Sequence, residues 1–192
     1  MIDLSANFPK IFLISGPSGV GKDTIIAELR KIYFDFHFVV TAVTRKKRSD
    51  EKEGVNHFFI STNKFKSMIE NNQLIEWSKV YDNFYGVPKS QIETPITQGK
   101  SVFIRVDVQG AEKIKKIMPE IVLIFIKPEN LEYIRSHLDI RGENSEDEIK
   151  KRIEAAKKEI LLAKNFDYVI TNQEGNIKYV IDAVKDIIKK NL

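Results

Sequence analysis

The chain opens on a short apolar run, "KIFLIS" (10–15), that stops at a glycine; Ile25, Ile26, Leu29 and Ile32 then recur at helical spacing. The pattern predicts a strand, a glycine turn and a helix. Four further apolar runs, "FHFVVTAV" (36–43), "SVFIRVDV" (101–108), "EIVLIFIK" (120–127) and "DYVIT" (167–171), read as strands two to five. They are continuous rather than alternating, as strands of a parallel sheet covered on both faces should be. Helical patterns lie between or after them over 111–118, 131–138, 149–163 and 177–188, the last with apolar residues at 177, 180, 181, 184, 187 and 188. This alternation predicts a three-layer α/β/α fold around a five-stranded parallel sheet with right-handed crossovers.

Two segments break the rhythm. From about 44 to 87 a basic, polar stretch precedes strand-like "HFFI" and "LIEWSKVY", which flank a small helix carrying Phe65, Met68 and Ile69 and entered from Ser61 or Thr62. It reads as an insert with its own small sheet, and predicts a core of 1–40 and 90–192 with an α+β unit at 41–89. The second segment, "DIRGENSEDEIKKRI" (139–153), is mostly charged. Ser145 followed by Glu148 fits a capping box, so a helix is expected to restart there and leave 140–144 as an exposed turn.

With 192 residues, 42 % hydrophobic and 30 % charged, the chain can bury one sizeable core. Cysteine is absent, which excludes disulfides and thiolate metal sites and fits a reducing compartment. His37, His57 and His137 have no suitably spaced partners, so no zinc site is expected. Neither a basic leader with an apolar stretch nor 18 consecutive apolar residues occurs, so the expectation is a soluble, cytoplasmic protein without a membrane partner. The net charge of +4 is small and mixed along the chain; it favours an anionic partner and by itself leaves nucleic acid and nucleotide both open.

Candidate chemistry begins in "LISGPSGVGKDTIIAEL" (13–29). Phosphates at such a loop are held by main-chain N–H groups and by the positive end of the following helix, and side chains would obstruct them. Gly16, Pro17, Ser18, Gly19, Val20 and Gly21 therefore form a candidate phosphate loop, and Lys22 supplies a point charge for β- and γ-phosphates. The strict motif wants serine or threonine next, and here stands Asp23. Asp23 is either an acidic residue favoured by the helix dipole in the first turn, or a ligand of Mg²⁺ or its waters; Thr24 is then the hydroxyl that serves the phosphates or the metal. In "TRKKR" (44–48), Arg45 and Arg48 can present two guanidinium forks to a small phosphate dianion, although such a run also suits a solvated face or a nucleic-acid patch.

Taken together, "SGPSGVGK" (15–22), "TRKKR" (44–48), "EGVNHFF" (53–59), "LIEW" (74–77), "NFYGVP" (83–88), "VDVQGA" (106–111), "IRGENSEDEIKKRI" (140–153) and "DYVITN" (167–172) resemble the guanylate kinases in order and spacing over nearly the whole chain. The resemblance implies a P-loop nucleoside-monophosphate kinase fold with a GMP-binding insert and a short lid at about 139–153. It implies Mg²⁺-dependent transfer of the γ-phosphoryl of ATP to GMP, with dGMP as a further acceptor, no nucleic-acid partner, and a monomer or homodimer. By the same resemblance Arg45, Arg48 and Tyr85 hold the GMP phosphate, Glu76 reads guanine with help from Asp107, and Asp107 also reaches the metal through water. Arg141 and Arg152 match the lid arginines that lie across the triphosphate, and Asn172 falls where the family contacts adenine.

The chemistry agrees. Guanine offers two adjacent donors, N1–H and N2–H₂, that one carboxylate accepts together, and a desolvated carboxylate left without them is penalised by roughly 1–3 kcal/mol. The attacking phosphate oxygen is already ionised, so positioning and exclusion of water carry the reaction. Four positions depart from the family pattern. His57 stands for a phosphate-binding tyrosine, Val87 for a hydroxyl donor to guanine O6 (Thr41 supplies the other), Arg105 for an acidic residue, and His137 for a lid-helix arginine. Losing the bond at Val87 should cost about 1 kcal/mol. Alternative readings are a kinase of a related acceptor such as ribose bisphosphate, or a non-catalytic binding module built on the same fold.

Overall fold

The computed structural model describes residues 8–49, 51–80, 82–141 and 145–192, with the backbone alone at 140 and 141. Strand β1 (Ile11–Ser15) runs into helix α1 (Lys22–Ile32), followed by β2 (His37–Phe38), β3 (Thr41–Val43), β4 (His57–Phe59), α2 (Thr62–Glu70), β5 (Leu74–Val80) and β6 (Asn83–Pro88). The remainder is α3 (Ser90–Thr97), β7 (Val102–Arg105), α4 (Val108–Ile117), β8 (Val122–Pro128), α5 (Leu131–Arg141), α6 (Glu146–Leu161), β9 (Tyr168–Asn172) and α7 (Ile177–Asn191).

Five parallel strands form the core sheet in the order β2-β7-β1-β8-β9. Successive residues of β1 point to opposite faces, and both faces are covered. Phe12 and Ile14 pack with Ile25 and Leu29 of α1 and Val180, Val184 and Ile188 of α7; Leu13 joins Val102, Ile104, Ile114 and Ile92 on the other side. That is why the strand reads as an unbroken apolar run.

A second sheet, β4-β3-β6-β5, pairs β3 with β4 in parallel and joins β6 to β3 and β5 antiparallel. Its small core gathers Ala42, Phe65 and Leu74 with Met68, Ile69 and Phe84. Ser61 caps α2 by accepting from Lys64 N at 3.2 Å, and the Ser145–Glu148 capping box opens α6, both as expected.

Several expectations are corrected. The run 36–43 is not one strand: β2 stays in the core sheet and β3 belongs to the second sheet. The side-chain oxygen of Gln91 accepts the Val40 N–H at 3.0 Å, so the ladder ends there. The strand expected to reach Val108 stops at Arg105, because Asp107 caps α4 by accepting from Gly110 N at 2.7 Å. β6 and α3 were not expected; Pro95 and two threonines hide α3 from propensity. α5 extends into the expected turn, of which residues 142–144 lie outside the described ones. Among the described residues no helix is long and apolar enough to cross a membrane.

Candidate active site

A cleft of about 1200 Å³, counting its open mouth, runs from the turn after β1, past the end of β7, to the second sheet. At one end the chain turns after Ser15 through Gly16, Gly19 and Gly21, all with positive φ. A Cβ on Gly16 would stand 2.2 Å from the Ile126 carbonyl oxygen, so only glycine fits that crossing of β8. α1 begins without a side-chain cap, leaving its first N–H groups for an anion. The Lys22 ammonium donates to the carbonyls of Gly16 and Pro17 at 2.5 and 2.9 Å, and Arg152, reaching in from α6, donates to Ser18 Oγ at 2.9 Å. Gly16, Ser18, Gly19, Gly21, Lys22, Asp23 and Arg152 all line the cleft.

At the other end Arg45 forms a two-pronged pair with Glu51, at 2.6 and 2.5 Å, and Glu51 also accepts the Arg48 N–H at 2.9 Å. Burial alone would raise the Glu51 carboxyl, but the Arg45 hydrogen bonds, the Arg48 amide and the Arg45 charge outweigh it and hold it at about 2. This carboxylate holds the Arg45 guanidinium and the Arg48 backbone, and Arg45, Arg48 and Tyr85 all line the cleft. His57 is buried, shares a 2.7 Å hydrogen bond with Thr41 Oγ1, and lies 3.2 Å from an Arg105 nitrogen. Burial and then the Arg45 charge lower it to about 4, so the ring is neutral at pH 7.

Glu76 and Ser78 alternate inward on β5 while Trp77 points out. Glu76 is 6 % exposed and aims at the start of α4; a Cβ on Gly110 would sit 2.9 Å from its Oε1. Its Oε2 accepts no hydrogen bond and has Lys113 Nζ at 3.3 Å. Burial raises the carboxyl to about 7 against the opposing charge of Lys113, with like-charged Asp107 adding to the rise. Asp107 accepts from Gly110 N with one oxygen and from Ser78 Oγ with the other, at 2.7 and 3.3 Å.

Not every expected residue joins the cleft. Val87 is fully buried in the core with Ile92 and Ile104. Asn172 lies behind the loop, where its amide donates to the Val20 carbonyl and to Tyr133 Oη, both at 2.9 Å. Pro17 and Val20 shape the loop from beneath, and Arg141 ends α5 with its side chain outside the described residues. Thr24 is exposed on α1 and does not line the cleft. Asp23 is ion-paired with Arg105, whose other nitrogen donates to the Asn56 carbonyl at 3.1 Å. Neither Asp23 nor Thr24 thus fits a direct Mg²⁺ ligand, and among the described residues no three His, Cys, Asp or Glu side chains gather to hold a metal.

Three residues of the site escaped the sequence reading. Glu51, which does not itself line the cleft but backs its wall through Arg45, stood out only as an acid within a basic stretch. Glu159 lies two helical turns from Arg152 on the same face of α6 and is raised to about 7 by burial, against the charge of Lys22. Ser78 had no signal beyond its inward parity with Glu76.

The family model described as guanylate kinase matches residues 9–191. The chain belongs to the guanylate kinase family. Among relatives bearing that name, one from Clostridioides difficile is 43 % identical over 164 residues, covering 85 % of this chain and 80 % of the relative. Another from Halalkalibacterium halodurans is 39 % identical over 178 residues, 93 % of this chain and 86 % of the relative. The crystal structure of guanylate kinase from Anaplasma phagocytophilum superposes with a TM-score of 0.79 at 29 % identity, covering 95 % of this chain and 86 % of that one. Membership agrees with the α/β/α layering read from the hydropathy pattern and with the P-loop fold that the resemblance implied.

Proposed function

We propose that the cleft transfers the γ-phosphoryl group of ATP to GMP, giving ADP and GDP, with 41–89 as the acceptor-binding unit and the rest of the chain as the donor core. The observation that carries this reading is a single cleft with two unlike ends: an amide loop with an ammonium at one, two arginines and a buried carboxylate at the other.

The triphosphate sits against the N–H groups of the Gly16–Gly21 loop, with Lys22 released from its two carbonyls onto the phosphates. Arg152 is already at Ser18, in reach of the transferring group, where its charge offsets the negative charge that spreads over the equatorial oxygens. Arg45 and Arg48, aligned by Glu51, hold the GMP phosphate so that one of its oxygens attacks the γ-phosphorus. That P–O bond forms as the bond to the β–γ bridging oxygen breaks, and ADP leaves with the bond's electron pair. Glu76 accepts N1–H and N2–H₂ of guanine; adenine presents an acceptor at N1 and leaves the carboxylate unmatched. Mg²⁺ would come with the triphosphate as part of the donor substrate and would supply neutralisation of phosphate charge.

A ribose-bisphosphate acceptor gives the buried Glu76 nothing to read, and a binding module gives Lys22 no work. Coupled measurement of ADP formation with GMP, AMP, CMP and UMP tests the reading. GMP should exceed AMP by at least about 100-fold in kcat/KM, from roughly 3 kcal/mol of mismatch. Equal rates for GMP and AMP would contradict it.

A further inference from the structure

Lys113 lies on α4 one turn beyond Gly110. Helix α4 approaches Glu76 at a residue without a side chain, then covers the same carboxylate with a cation one turn later. The ammonium is 3.3 Å from Oε2, and it donates to the Trp77 carbonyl at 2.6 Å, which fixes it beside β5. Glu76 is 3 % exposed in its side chain, Lys113 about half exposed at 48 %. The charges acting on Glu76 are these two neighbours from the α4 side, Lys113 and the like-charged Asp107. On its own strand Ser78 faces inward and Lys79 outward; across the hairpin β6 brings uncharged Gly86 and Val87 opposite, with the Tyr85 hydroxyl further along the cleft.

We propose that Lys113 is a positioning residue that sets the purine choice of this cleft, by holding Glu76 as a carboxylate with two acceptors; the proposal rests on Glu76 being the base-facing residue named above. The proton count of that one group decides which purine edge it matches. Ionised, it offers two acceptors to the paired donors of guanine. Protonated, it offers one O–H donor, which adenine N1 accepts, and a single acceptor, which leaves one of guanine's two donors unmatched. Burial pushes Glu76 toward the second state and Lys113 is the principal influence toward the first, and the balance lies at about 7. Removing the ammonium tips a buried, like-charged site toward the adenine-matching form.

The test is the ratio of kcat/KM for GMP over AMP, measured from pH 6 to 8.5 for the wild type, Lys113→Met and Lys113→Arg. The ratio cancels titration of the nucleotide phosphate, whose second pKa near 6 is common to both substrates. It also cancels Glu159, which borders the donor end. In the wild type the ratio should rise with pH about a midpoint near 7, where Glu76 is half ionised, since kcat/KM reports the free enzyme. Lys113→Met should move that midpoint up by about one pH unit and lower the ratio at pH 7 about tenfold, mainly through KM for GMP, whereas Lys113→Arg should restore both. A merely structural lysine would alter both substrates alike and leave the midpoint in place; that result in Lys113→Met overturns the proposal. Glu76→Gln separates the two levels of the argument. If it loses GMP preference at every pH while Lys113→Met behaves as wild type, the lysine proposal alone fails; if it keeps full GMP preference, the base-reading role of Glu76 fails and the proposal with it.

Discussion

Asp23 departs from the strict phosphate-loop motif and Arg105 from the family pattern; they are far apart in the chain, and the fold brings them together as an ion pair. The sequence showed each as an oddity and could not show that one answers the other, because nothing local relates the first turn of α1 to the end of β7. Arg105 is 16 % exposed in its side chain and Asp23 47 %, so the pair is half screened and worth about 1 kcal/mol. Its guanidinium also reaches Asn56 and His57, which ties the first turn of α1 to the second sheet. Asp23→Ser should therefore lower thermal stability by about that amount and leave the Mg²⁺ dependence of turnover unchanged. Thermal unfolding and a Mg²⁺ titration check it; a shifted Mg²⁺ optimum would return Asp23 to the metal. By contrast the loop glycines and Lys22 stood out in the sequence as a candidate phosphate loop, since backbone clearance and phosphate charge dictate residue types that a sequence displays directly. The run holding Arg45 and Arg48 also suited a solvated face until the fold put both on the cleft.

At the scale of elements, what places Glu76, the proposed base reader, is the approach of α4 to β5. Gly110 looks like a poor helix residue, and on an exposed helix its replacement by alanine would add up to about 1 kcal/mol of stability. Here a Cβ would stand 2.9 Å from Glu76 Oε1 and 3.2 Å from Val106 Cβ. The carboxylate end is the softer neighbour, so Gly110→Ala should leave stability within about 1 kcal/mol of the wild type while raising KM for GMP at least tenfold. Calorimetric Tm and GMP titration decide this; an unchanged KM would show that Glu76 tolerates displacement. The elements themselves were largely legible, with the hydropathy runs locating all five core strands and, α3 apart, the helices between them. What stayed hidden depended on tertiary partners: Gln91 ending β2, Asp107 ending β7 and starting α4, and the packing of Ile92 and Pro95 that sustains α3 against its own propensity. Inward parity along β5 hid Ser78 in the same way, because parity becomes meaningful only once the buried face is known.

At the scale of the whole molecule, two sheets built from one chain enclose a cleft whose ends differ in chemistry. The core sheet ends in the phosphate loop; the second sheet carries Thr41, His57, Glu76 and Tyr85; α6 spans the opening with Arg152 and Glu159. A neutral His57 and an ionised Glu51 leave the positive charge of this end to Arg45 and Arg48, as the proposed dianionic phosphate would require. The central claim is therefore that two anionic nucleotides occupy separate ends of this cleft at the same time. Isothermal titration calorimetry with ATP and GMP in EDTA, so that no Mg²⁺-dependent turnover occurs, each added to protein already saturated with the other, tests it most directly. The account predicts one molecule of each per chain with neither displacing the other, and selective loss of ATP binding in Lys22→Met and of GMP binding in Arg45→Ala. Mutual displacement of ATP and GMP from a single position would contradict it.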